Sequence, residues 1–307
     1  MADYFHDLGT RKAIKKLIKS IQSLEVAAKI QATLGEGPAW NKERDVLHCV
    51  DIFGKKVYTH NPALGTTDYF STELSPGAVL PTTSNTLALA LDDGLYLADL
   101  DGKNLEKKFS IEPEILGNRM NDAKCDPNGV LFAGTMGDGN SPTGSLYRID
   151  PKGIKKVCKD VTVSNGLAWS PDVSKMYYID SGKKSVQVSD FDASSSSILG
   201  FKNFIEFPDS FGIPDGMCAD KESGIWVAFF GGEKVRRFSD EGIQTHEIQL
   251  PVPQITSCCF AGEDSTTLYI TTASIDLGDG RKIGSDDGNL FCIDVGIPGS
   301  GTALFAF

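Results

Sequence analysis

Asn165 to Asp180 reads NGLAWSPDVSKMYYID. Small residues lead to an aromatic, a Ser-Pro-Asp turn follows, and a bulky apolar run comes next. That order describes a packed strand, a tight turn and a second strand. The same order recurs along the chain. EGPAWNKERDVLHCVDI starts at Glu36, PGAVLPTTSNTLALAL at Pro76, NDAKCDPNGVLFAGT at Asn121, DGMCADKESGIWVAFF at Asp215 and TSCCFAGEDSTTLYIT at Thr256. Six copies spaced by roughly 40 to 50 residues match the period of propeller blades. An all-β chain of this size must close on itself to hide its edge strands. The expected fold is therefore an all-β, six-bladed β-propeller over residues 26–307. AKIQAT, Ala28–Thr33, is expected to pair with GNLFCIDV of the last blade and shut the ring.

Residues 1–25 follow another rule. In RKAIKKLIKSIQSL, Ile14, Leu17, Ile18, Ile21 and Leu24 recur at helical spacing, and Arg11, Lys12, Lys15, Lys16 and Lys19 cover the other face. This predicts an N-terminal amphipathic helical extension. A basic helix of this kind docks on the protein body or contacts a membrane surface or a partner.

Composition narrows the function classes. The 307-residue chain is 40% hydrophobic and 23% charged, as expected of a globular protein. It has no apolar run near the ~20 residues of a membrane-spanning helix and no signal-peptide pattern. A net charge of −11 argues against a nucleic-acid partner. Seven scattered cysteines, mostly in apolar runs, read as reduced buried thiols of a cytoplasmic protein. His6, His48, His60 and His246 lack ligand spacing and read as surface or packing residues.

The repeat register points to chemistry. Equivalent positions in a propeller sit at equivalent places around the axis. The first residues of the aligned segments are Glu36, Pro76, Asn121, Asn165, Asp215 and Thr256. Four of them carry carboxylate or carboxamide oxygens. Converging on one mouth of the channel, they form an oxygen donor set suited to one divalent cation, with Ca²⁺ foremost and Mg²⁺, Mn²⁺ or Zn²⁺ as options. Asn-Gly and Asp-Gly are also strong turn signals, so SNGLAW and IPDGMC read singly as turns. The shared register is what favours ligands.

The motifs GEGPAW, NRMNDAKCDPNGVLFAGTM, TGSLYRID, SNGLAWSPDVSKMYYIDSG, IPDGMCAD, GIWVAFFGGEKVRRF and TSCCFAG resemble the senescence marker protein, regucalcin and gluconolactonase family, which includes the insect luciferin-regenerating enzymes. The resemblance implies a six-bladed propeller with one catalytic metal in its channel, held by Glu36, Asn165 and Asp215. It also implies that Asn121 faces the metal or the substrate and that Arg119 contacts the substrate. Some members place a glutamate on a sugar lactone just after the AGTM motif. In this chain Asp138 is the nearest acid to that place.

The expected activity is metal-assisted hydrolysis of a lactone or related small-molecule ester, with Asp215 as general base. Arylester or phosphotriester hydrolysis, a luciferin-regenerating activity and a non-catalytic calcium-binding role are the alternatives.

Overall fold

A computed structural model describes residues 23–262, 264–278 and 280–307. The expected amphipathic helix falls almost wholly on residues 1–22 and so lies outside the described residues.

The described chain forms six antiparallel sheets. Blade 1 runs from its inner strand outward through Gly35–Asn41, Val46–Asp51, Lys56–Asn61 and Thr66–Ser71. Blades 2, 3 and 5 repeat this meander, with inner strands Pro76–Pro81, Arg119–Cys125 and Ile213–Ala219. Blade 4, with inner strand Ser164–Trp169, has five strands, Ser197–Ile198 and Lys202–Glu206 both pairing with Ser185–Asp192. The inner strands contact one another in ring order, and that of blade 6, Ile255–Phe260, meets that of blade 1. The chain is thus the six-bladed propeller that the repeats predict.

Burial falls from the axis outward. The inner strand Gly35–Asn41 and the second strand Leu87–Leu91 are buried throughout, whereas the outer strand Thr66–Ser71 is largely exposed. Both faces of an inner blade strand meet protein, which explains why these runs lack polar alternation. Six hydrophobic clusters fill the structure, one at each blade interface. Trp226, Phe132 and Phe291 are nearly inaccessible within them.

Closure differs in detail from expectation. The strand that completes blade 6 is Glu25–Ala28, and it pairs with Leu290–Asp294. Ala28–Thr33 is instead mostly the connection into blade 1, held where Gln31 N donates to Asn289 Oδ1 and Ala32 N to Gly288 O. A second tie was not legible beforehand. The C-terminal segment crosses the face where the inner strands end. Ser300 N donates to Ala219 O in blade 5, Ala306 N to Gly129 O in blade 3, and Phe305 N to Pro81 O in blade 2. Phe305 is fully buried between blades 2 and 3.

All seven cysteines are free thiols. No helix among the described residues is long and apolar enough to cross a membrane.

Candidate metal centre

Each inner strand carries a bulge at the aligned position. The pairing register shifts between Glu36 and Ala39, Pro76 and Ala78, Met120 and Ala123, Asn165 and Leu167, Pro214 and Met217, and Ile255 and Ser257. A bulge bends a strand and re-aims the side chains beside it. Repeated six times in register, it turns one residue per blade toward the common axis.

The glycines after these residues serve close approach. A Cβ on Gly77 would stand 2.6 Å from Met120 O and 2.7 Å from Asn121 O. One on Gly166 would stand 2.7 Å from Asp215 O, and one on Gly216 2.0 Å from Ser257 Oγ. Only Gly37 also needs a positive φ, at +54°. The Asn-Gly and Asp-Gly pairs are therefore strand residues pressed against the next blade, not hairpin turns.

Carboxylates at the ends of the second strands pin the segments leading in. Asp51 accepts from Thr33 N and Leu34 N just ahead of Glu36, at 2.9 and 3.0 Å. Asp180 accepts from Val163 N at 3.0 Å, two residues before Asn165.

Glu36, Asn121, Asn165 and Asp215 are all buried. A directed hydrogen-bond chain links three blades. Arg119 Nη1 donates to Asn121 Oδ1 at 2.7 Å, and Asn121 Nδ2 donates to Asn165 Oδ1 at 3.2 Å and to Ser164 O at 2.8 Å. Asn165 Nδ2 donates to Ser181 Oγ at 2.9 Å, and Ser181 Oγ donates to Pro214 O at 2.7 Å. Both carboxamide orientations follow from this chain, because each oxygen faces a donor and each nitrogen an acceptor.

The carboxyls are under electrostatic pressure. Burial, then the charge of Asp122, pushes Glu36 from 4.5 up to about 8, against the backbone N–H of Gly37 and the charge of Arg119. Burial, then the charges of Glu36 and Asp122, lifts Asp215 well above the usual carboxylate range. Glu36 faces Asp215 closely enough for its charge to raise the Asp215 carboxyl. Asp215 Oδ1 is buried without a hydrogen-bond partner among the described residues.

These features test the fit of a cation. Two mutually repelling buried carboxyls, one with an orphaned oxygen, and two carboxamide groups make an all-oxygen set that a divalent ion satisfies. No three His, Cys, Asp or Glu side chains gather into such a set among the described residues, so carboxamide oxygens are needed to complete it. The histidines stand apart: His48 and His60 bond to Thr59 and Thr67.

Asp138 is not brought into this cluster. It is exposed in the loop after Leu131–Met136, where its carboxylate accepts from Asn140 N at 2.9 Å and Ser141 N at 2.8 Å. Asp-x-Asn-Ser is a loop-capping pattern, and those local bonds hold the side chain. Two residues that matter were not singled out from the sequence. Asp122 is buried at the position where most blades have glycine, with Oδ2 unpartnered among the described residues. Ser181 orients Asn165. The aspartate in the glycine slot was the available signal for the first; the second is visible only in three dimensions.

A propeller whose six inner strands carry matched bulges around a carboxylate–carboxamide cluster defines the class: a β-propeller with one axial oxygen-donor site. The family model described as the SMP-30/Gluconolactonase/LRE-like region matches residues 34–274, and the chain belongs to that family. It is 34% identical over 250 residues to YvrE of Bacillus subtilis, a candidate sugar lactone lactonase, covering 80% of this chain and 86% of that one. It is 36% identical over 251 residues to regucalcin of Gallus gallus, covering 78% and 83%. Among solved structures, regucalcin of Agrobacterium tumefaciens superposes with a TM-score of 0.88 at 26% identity, covering 94% of this chain and 98% of that one.

Proposed function

We propose that this protein is a divalent-metal-dependent hydrolase of lactones, acting on a sugar lactone or a similar small cyclic ester. The observation that carries the reading is the paired burial of Glu36 and Asp215 beside Asn165 and Asn121, with Asp215 Oδ1 left unpartnered among the described residues. Family membership, the lactonase description of YvrE and the calcium-binding description of the Agrobacterium regucalcin support it.

Glu36, Asp215 and Asn165 would hold the cation, with Asn121 alongside. When bound, it supplies a Lewis acid that polarises the ester carbonyl and offsets negative charge developing on its oxygen.

The chain's own residues do the rest. Asp215 takes the proton of the attacking water. Beside a bound divalent charge its carboxylate would stay ionised, and in contact with that water it can accept the proton. Arg119 is half-buried and uses Nη1 to hold Asn121 Oδ1 and Met120 O. Its other N–H groups make no hydrogen bond among the described residues, and they anchor a substrate hydroxyl or carbonyl. Asn121, fixed at both ends, sets the position of that anchor.

The test is hydrolysis of a sugar-lactone panel by chelator-treated protein, with and without each divalent ion restored. Turnover should appear only with metal, and Asp215→Ala should lower it by ~10³-fold or more. Turnover that persists in chelator, or that survives in Asp215→Ala, removes the mechanism. Calcium binding without any lactone, arylester or phosphotriester turnover would establish the non-catalytic calcium-binding alternative in its place.

A further inference from the structure

The inner strands present a second set of side chains where they end. Trp40, Cys125, Trp169, Cys218 and Cys259 lie three to four residues beyond the axial cluster on five of the six strands. They line a cavity of about 570 Å³ that the C-terminal segment Ser300–Ala303 helps to wall. This volume falls within the ~300–1,000 Å³ of small-molecule sites.

Its chemistry contrasts with the rest of the protein. The chain has 41 acidic and 30 basic residues, yet this cavity is lined by Lys42, Lys124 and Lys221 and by no aspartate or glutamate among the described residues. Lys221 pairs with Asp264 at the rim, at 2.8 Å. Lys124 has no such partner. Its half-buried ammonium donates to Met217 O at 2.5 Å across the channel and is in no ion pair among the described residues. Buried Asp122 feels the charge of Lys124 from beyond ion-pair distance, so the ammonium is incompletely neutralised, and an anion relieves the remaining cost. The Met217 bond uses one of three N–H groups and holds the head in place, leaving two donors.

The walls mix polar and apolar surface. Trp40, Trp169 and Phe260 contribute aromatic rings. Trp169 Nε1 and Ser300 Oγ, which belong to wall residues, have no hydrogen-bond partner among the described residues. One interior cation between aromatic walls matches one negative charge on a planar body better than it matches a multiply charged, heavily hydrated phosphate.

We propose that this cavity, at the mouth of the axial channel opposite Glu36 and Asp215, is a second binding site for a small planar organic carboxylate, with Lys124 as its counter-charge and Trp40 and Trp169 as its walls. The site is independent of the lactonase reading, because it shares no side chain with the candidate metal centre.

Benzoate is the probe, and benzamide its neutral counterpart of the same shape. Binding is followed by tryptophan fluorescence and titration calorimetry at fixed ionic strength. Benzoate should bind saturably and ~10-fold or more tighter than benzamide, the scale of one charge-assisted contact. Lys124→Met should erase that preference, Lys124→Arg should keep most of it, and Trp169→Phe should weaken binding. Asp215→Asn should leave binding unchanged. The proposal is overturned if benzoate binds no better than benzamide to the wild type, a comparison that needs no variant. It is equally overturned if folded Lys124→Met keeps the preference, if inorganic phosphate displaces benzoate at equal concentration, or if Asp215→Asn abolishes binding. The last result would move the ligand to the other mouth.

Discussion

Replacing Glu36 with glutamine should make the metal-free protein more stable above neutral pH while removing its response to metal. Burial and the charge of Asp122 carry the Glu36 carboxyl from 4.5 to about 8 in the folded chain. Between those values the native state holds a proton that the unfolded chain has lost. The stability tied to that proton is complete below pH 4.5 and disappears as pH rises through about 8. The whole span corresponds to ~5 kcal/mol, at ~1.4 kcal/mol per pH unit. His48 acts in the opposite sense. Burial holds it near 4, so its stability contribution is present above pH 6.5 and is lost as pH falls toward 4. His48 is silent from pH 6.5 to 8, and there Glu36, together with the neighbouring Asp215 that burial and the Glu36 charge raise, accounts for ~2 kcal/mol. At ~2 °C per kcal/mol for a domain of this size, the chelated wild type should lose ~4 °C of Tm relative to Glu36→Gln across that window. Differential scanning calorimetry in chelator, on both proteins at matched pH, gives the difference directly. Adding calcium at pH 8 should raise the wild-type Tm and leave Glu36→Gln in place. Parallel Tm curves for the two proteins from pH 6.5 to 8 would refute the electrostatic reasoning.

Three further outcomes follow from the geometry. Gly77→Ala places a methyl within 2.6 Å of Met120 O and 2.7 Å of Asn121 O, so blades 2 and 3 must part. Denaturant titration should show a loss of ~2 kcal/mol or more, together with weaker metal binding. Asp220→Ala strips Arg237 of its bidentate partner, at 2.6 and 3.1 Å, and Trp226 Nε1 of its acceptor, at 2.8 Å. That should cost ~3–5 kcal/mol in the same titration and leave calcium affinity unchanged in the folded protein. Ser181→Ala releases the carboxamide of Asn165. Calorimetric calcium affinity should fall ~10-fold or more while Ser181→Thr, which restores the hydroxyl, recovers most of it.

Much of this molecule is legible in the order of its residues because the propeller is a repeat. A strand pair that recurs six times announces itself, and the common register alone sets Glu36, Asn121, Asn165 and Asp215 at equivalent places around the axis. The glycines beside them owe their place to the neighbouring blade, and a single repeat cannot reveal that. The place of Asp138 was not legible: an acid in a polar loop spends its oxygens on the nearest backbone N–H groups. The closing strand begins at Glu25, earlier than its hydrophobicity suggests, because it is an edge strand with one covered face and little pattern. The strap made by the C-terminal segment, and the burial of Phe305 between blades 2 and 3, depend on contacts spread over several blades. Asp122 is the hardest case. Its importance lies in its field on Glu36 and Asp215, which no local pattern expresses.

The closure of blade 6 also sets an order of assembly. Its outer strand begins at residue 25 and its partner at residue 290, so one sheet needs nearly the whole chain. During synthesis from the N-terminus, the first strand among the described residues is among the last to find its neighbour. Until then, blade 6 lacks a side and the ring lacks its seal. Rapid formation of single blades, followed by a slow and cooperative final docking, is the kinetic signature of such a long-range clasp. The waiting strand is short, and Glu25 at its start supplies a charge that discourages pairing with strangers.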